Sequence, residues 1–139
     1  MSDACARSTT ENGTETTNLN LSRRAVACKA FRWLPGMLDV HGGRVVSVEG
    51  GMLRLDYRDD DDPIRTSASA CLPDLTDPAT LGCLLFLVRA AWGDPHASSR
   101  WMKPEWKVLV QRMGYINYTV VGVGRTEAEA LVAALEAAP

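Results

Sequence analysis

The sequence predicts an α+β domain in the order αββαββα, with a mostly antiparallel sheet packed by helices. Three observations carry that expectation. Gly50-Gly51 lies between two β-rich runs, residues Leu53 to Arg58 alternate apolar and polar, and Asp77-Pro78 and Thr126 each open a strongly patterned helix. A chain of 139 residues suits one domain rather than two.

Residues 1–21 are polar and poor in apolar side chains, and are expected to form a disordered tail. The single domain then spans 22–139. Ser22 is the expected cap of a first helix from Arg23 to about Trp33, with Val26, Ala30, Trp33 and Leu34 near helical spacing. Leu34-Pro35-Gly36 ends it, because proline disfavours helix in the residue before it.

Strands follow at Arg44–Glu49 and Met52–Arg58, joined by Gly50-Gly51, where glycine accepts the positive φ of a two-residue hairpin turn. The run Asp59-Asp60-Asp61-Asp62-Pro63 opens a loop to about Pro73. Asp77 caps the next helix, Pro78 takes its first position, and the helix reaches Trp92 before Gly93. Its stripe is Leu81, Leu84, Leu85, Val88 and Trp92. Phe86 and Leu87 fall off that stripe and are expected to face another copy in a homo-oligomer.

Gly93 to Pro104 is expected to be loop, followed by a hairpin of Glu105–Met113 and Asn117–Val123 turning near Gly114-Tyr115. Thr126 caps the last helix and Glu129 completes a capping box. Ala128, Leu131, Val132 and Leu135 form its buried side.

Net charge is −2 and the sequence pI about 5.6, which speaks against a nucleic-acid binder. No stretch approaches the ~20 apolar residues of a membrane span, and the polar start has no signal-peptide pattern. Cys5, Cys28, Cys71 and Cys83 lie far apart without a C-x-x-C pair, so a reducing, cytoplasmic setting is expected.

No catalytic, cofactor or metal signature survives inspection. Gly122-Val123-Gly124 has the look of a dinucleotide-binding turn, but Glu127 stands where the third glycine belongs. A lesser version keeps a phosphate at the helix start, near Arg125 and Thr126. Asp59 to Asp62 read as a solvated loop, since neighbours on an extended chain point opposite ways. His41, in Asp39-Val40-His41, could serve a small hydrolase as general base, with a metal or the nearby acid. Cys71, Cys83 and His96 match no compact zinc spacing. Arg23, Arg24, Lys29 and Arg32 make a weak phosphate footprint for a nucleic-acid-binding accessory role. Among the aromatics Trp101, Trp106, Tyr115 and Tyr118, Trp101 sits in a polar segment beside Arg100, and Tyr115 at a hairpin tip. Such residues dominate binding hot spots. The candidate ligand-binding set is therefore Arg100, Trp101, Tyr115, Tyr118, Arg125 and Thr126.

Three stretches together carry a family likeness: Arg32 to Met37 (RWLPGM), Pro73 to Gly93, and Thr126 to Ala138. In these the chain resembles small phage and prophage proteins, including the group described as a phage α/β/α sandwich domain. The four-aspartate run and the Thr-rich start are not features of that group. The resemblance implies an accessory role in the host cytoplasm and supplies no catalytic residues. The expectation is a non-enzymatic anti-defence factor that needs no cofactor. It would sequester a small anionic ligand, such as a signalling nucleotide, or block a host protein.

Overall fold

The computed structural model describes residues 16–59, 61–111 and 117–139. Helix α1 covers residues 16–27. Strands β1 (Arg44–Glu49), β2 (Met52–Asp56) and β3 (Ile64–Ser67) form one antiparallel meander, followed by a short 3₁₀ turn, Ala68–Ala70, and helix α2 (Pro78–Trp92). Strands β4 (Ser98–Met102), β5 (Glu105–Val110) and β6 (Thr119–Gly124) form a second meander, followed by helix α3 (Glu127–Glu136). The molecule is α+β, as its patterning predicts. Each half holds three strands rather than two, and the strands make two sheets rather than one.

The first helix starts earlier than expected. Residues 16–21, assigned above to a disordered tail, are helical, and residues 1–15 lie outside the described chain. Ser22 is not a cap but an interior residue, 2% exposed. Its hydroxyl lies 3.0 Å from the Asn18 carbonyl oxygen and 2.8 Å from that of Pro73, which ties α1 to the segment before α2. Leu21 and Ala25, one turn apart, supply the buried stripe. Trp33 is buried outside any helix, edge-on to Phe31 at 5.7 Å.

Gly50 and Gly51 have φ of 54° and 78°, the conformation that closes a two-residue hairpin, with Glu49 paired to Met52. Val45, Leu53 and Leu55 face the core, while Arg54 opposes Arg65 on the wet side. Strands β3 and β4 occupy stretches expected to be loop. Both are short edge strands, IRTS and SSRWM, without an apolar alternation to announce them. The expected turn at Gly114-Tyr115 lies outside the described residues.

Helix α2 is bounded as its signals predict. The Asp77 carboxylate accepts from the Thr80 N–H and hydroxyl, both at 2.9 Å, and Gly93 closes the helix in the left-handed conformation. Leu84, Leu87 and Val88 are buried, and Leu81, Cys83, Leu85 and Trp92 are partly so. This corrects the expectation for Leu87: at 2% exposed it is core, shielded by its own chain. Phe86 alone stands out, half exposed beside Arg89, Ala90 and Pro95.

Helix α3 lies between the second sheet and α2. Its close approach to β6 depends on two glycines. A Cβ on Gly122 would come within 2.2 Å of the Ala130 carbonyl oxygen, and one on Gly124 within 2.8 Å of the Ala130 nitrogen. On its other side, the Trp92 indole N–H donates to the Ala134 carbonyl at 2.9 Å. One continuous apolar core links both sheets through the helices.

Candidate functional site

The second sheet has one covered face and one open face. Cross-strand rows Ser99–Val108–Gly122 and Trp101–Trp106–Gly124 share the side against α3. Rows Arg100–Lys107–Val123 and Ser98–Leu109–Val120 share the other. An extra residue in β6, Val121, interrupts the ladder between them, yet Val120 and Val123 emerge on the same open side.

That open side is unusually apolar for a face in water. Met102 is 42% exposed, Tyr118 51%, and Val120 and Val123 each 46%. Arg100 places its guanidinium 5.9 Å from the centre of the Tyr118 ring, a cation–π contact. Lys107 stands beside Arg100 on the same row. The result is an aromatic and aliphatic surface across three strands that carries Arg100 and Lys107, with Glu105 opposite Met102 on the same side and Leu109 buried among them. Contiguous patches of this kind mark docking sites on soluble proteins.

The candidate ligand set is divided by this geometry. Arg100 and Tyr118 come together. Trp101 does not join them, because adjacent strand residues point to opposite faces; it meets Trp106 edge-on at 6.1 Å and remains 54% exposed. Trp101 and Arg100, expected to act together on a base or a partner, therefore lie on opposite faces of the sheet. Tyr115 lies outside the described residues.

Arg125 and Thr126 do not build a phosphate cradle. The Thr126 hydroxyl accepts from the Glu129 N–H at 3.1 Å, and the Glu129 carboxylate accepts from the Arg125 N–H at 2.8 Å. The capping box closes one residue earlier than its usual form. Glu127 adds a second carboxylate, held at 2.6 Å by the Ser99 hydroxyl. An incoming anion would meet two negative side chains at this helix start.

The remaining candidates are explained by structural contacts. Asp39 is buried, but one carboxylate oxygen accepts from the backbone N–H of His41 at 2.9 Å and the other from Leu72 at 3.3 Å. The acid orders a turn rather than an imidazole. Asp94 repeats the device, taking the backbone N–H of His96 at 2.8 Å and of Gln111 at 2.7 Å. Burial pushes the thiols of Cys28, Cys71 and Cys83 above their ordinary pKa, which opposes the thiolate form that zinc requires. Among the described residues, no three His, Cys, Asp or Glu side chains gather as metal ligands. Asp59, Asp61 and Asp62 are exposed in their loop. On α1, Arg24 is committed to an ion pair with Glu136 of α3, which reduces the basic footprint.

A groove of about 520 Å³ runs between α1 and α3, with Leu21, Leu75 and Leu81 at its floor and Arg24, Glu127 and Glu129 at its rim. Its rim charges are opposed in sign and engaged in structural contacts, Arg24 with Glu136, Glu127 with Ser99 and Glu129 with the Arg125 N–H. No described helix is long and apolar enough to cross a membrane. No protein-family model, curated protein or solved structure matches the chain.

Met102, Lys107, Val120 and Val123 escaped the sequence reading. Their alternation within EWKVLV and TVVGVG was visible, but without β4 the three-stranded surface had no third member.

Proposed function

We propose that the chain is a non-enzymatic binding protein that docks an acidic partner protein on the open face of β4–β6. The observation that carries this reading is the set of half-exposed Met102, Tyr118, Val120 and Val123 around Arg100 and Lys107. Cations set among half-exposed apolar side chains suit a partner surface on which acidic and apolar groups are interleaved. It suits a free nucleotide less well, because small ligands are held in concave sites that bury most of their surface. Nucleic acid is also disfavoured, since Tyr118 is a single ring on this face, two cations make a small phosphate footprint, and Glu105 stands beside them. Given the likeness to phage and prophage proteins, the partner we favour is a host defence protein met in the host cytoplasm.

The test is affinity capture from a bacterial lysate with the tagged chain, followed by binding measurements on each recovered protein after purification. Arg100→Glu/Lys107→Glu and Tyr118→Ala should each weaken binding at least tenfold, about 1.4 kcal/mol. Arg23→Glu, on the exposed side of α1, should leave it unchanged. Equal binding by all variants, or thermal stabilisation by a nucleotide from a panel, would defeat the proposal.

A further inference from the structure

Arg100 and Tyr118 stand on different strands and at different heights of the open face. Arg100 lies on β4 opposite Lys107, and Tyr118 precedes Thr119 of β6, which lies opposite Val110. Strands β4 and β6 flank β5, so they are about 10 Å apart, twice the spacing of neighbouring strands. A guanidinium 5.9 Å from the centre of the Tyr118 ring therefore has to reach diagonally inward, across β5. The residue midway along that diagonal is Leu109, two positions beyond Lys107 on the same face. Leu109 is only 7% exposed, although this side of the sheet is open. The latch between Arg100 and Tyr118 thus fixes a cation near the centre of the patch, over an apolar floor, with Val120 and Val123 half exposed beside it.

An aromatic ring attracts the charge of a guanidinium without supplying the oxygen acceptors its N–H groups seek. Among the described residues, neither Arg100 nor Lys107 forms an ion pair, and Glu105 on the same face pairs with neither. The two cations stand directly opposite each other across the β4–β5 ladder, an arrangement that like-charge repulsion disfavours and that an anion between them would relieve. From this geometry we infer that Arg100 is the anchor of the docking face, taking one carboxylate of the partner through its forked N–H groups, with Lys107 as the second cation. The fork of a guanidinium matches the two oxygens of a carboxylate. Tyr118 is a positioning residue: it holds the guanidinium over β5 before the partner arrives, so less side-chain freedom is lost on binding. The apolar neighbours specify the setting of that carboxylate, on an aspartate or glutamate flanked by apolar side chains. The inference rests on the docking reading proposed above and narrows it to one chemical group.

The group can be tested without the partner. The probe is sodium butyrate, a carboxylate on a short apolar chain, titrated into the full chain at constant ionic strength. It should shift the Arg100 Nε–H resonance, identified by its loss in Arg100→Lys, and sodium chloride should not. The shift should shrink in Tyr118→Leu, which keeps apolar bulk but removes the ring; an undiminished shift would overturn the positioning role. Sodium phosphate separates a phosphoryl group from a carboxylate. A larger shift with phosphate than with butyrate would overturn the inference, and so would no shift with butyrate. Against the partner purified after capture, Arg100→Lys keeps the charge but loses the fork, and should weaken binding at least tenfold. Arg54→Lys, the same exchange on the wet side of the first sheet, should not. Wild-type affinity in Arg100→Lys beside weak binding in Arg100→Glu/Lys107→Glu would overturn the anchor and leave the docking face standing. Circular dichroism should report a folded chain for each variant.

Discussion

At the scale of single residues, the most decisive positions are small or acidic. Gly122 and Gly124 were legible as an unusual pair, but their purpose was not. Spacing along a chain cannot show that a helix will lie flat on a strand, whereas the 2.2 Å approach of an added Cβ to Ala130 does. Gly122→Ala is expected to cost about 2–3 kcal/mol through overpacking against a rigid backbone, read as a lowered urea midpoint with an unchanged slope. Asp77 is the acid whose titration reports folding. Burial alone would push its carboxyl up, but bonds from Arg44 at 2.7 Å and from Thr80 outweigh it and hold the group below the usual carboxylate value of 3.8. A carboxyl lowered in the folded chain stabilises above its unfolded value and loses that contribution as pH falls through the folded value. Urea melts of wild type and Asp77→Asn should therefore differ at neutral pH and converge as pH falls below about 4. A constant gap would show that the carboxylate charge is not what matters there.

At the scale of elements, legibility followed apolar pattern and cap chemistry. Strand β2 announced itself through Leu53 and Leu55, although it ends at Asp56 and leaves Tyr57 outside it, and α2 through Asp77, Pro78 and Gly93. Strands β3 and β4 were silent because short polar edges bury one side or less, so selection for a core leaves no alternation in IRTS or SSRWM. Helix α1 was misplaced because its anchors are Leu21 and Ala25, hidden among polar neighbours, and because Ser22 resembles a cap while serving as a buried tie to Pro73. Helix α2 separates two residues that sequence could not. Leu87→Ala should cost about 2–5 kcal/mol as a core truncation. Phe86→Ser should stay within about 0.5 kcal/mol in a thermal melt of the monomer, since surface changes rarely exceed that. If the two costs proved alike, the orientation of α2 about its axis would be wrong.

At the scale of the whole molecule, the candidate site was half legible. Arg100 and Tyr118 were expected together as ligand-binding candidates, yet only the sheet brings them into contact, and it turns Trp101 away to the opposite face. The surface that results belongs to no single segment: it draws on β4, β5 and β6, two of which are edges. The same sheet is backed by α3, and the smooth glycine floor beneath that helix has a further effect. Where β6 is bare, at Gly122 and Gly124, the strand allows intimacy but offers few ridges to index a helix by rotation or translation. Polar dowels help to align it: Ser99 with Glu127 near one end, and Trp92 with Ala134 and Arg24 with Glu136 near the other. Removing those dowels would blur the position of the helix before it unfolded the chain, giving several coexisting seats in place of one.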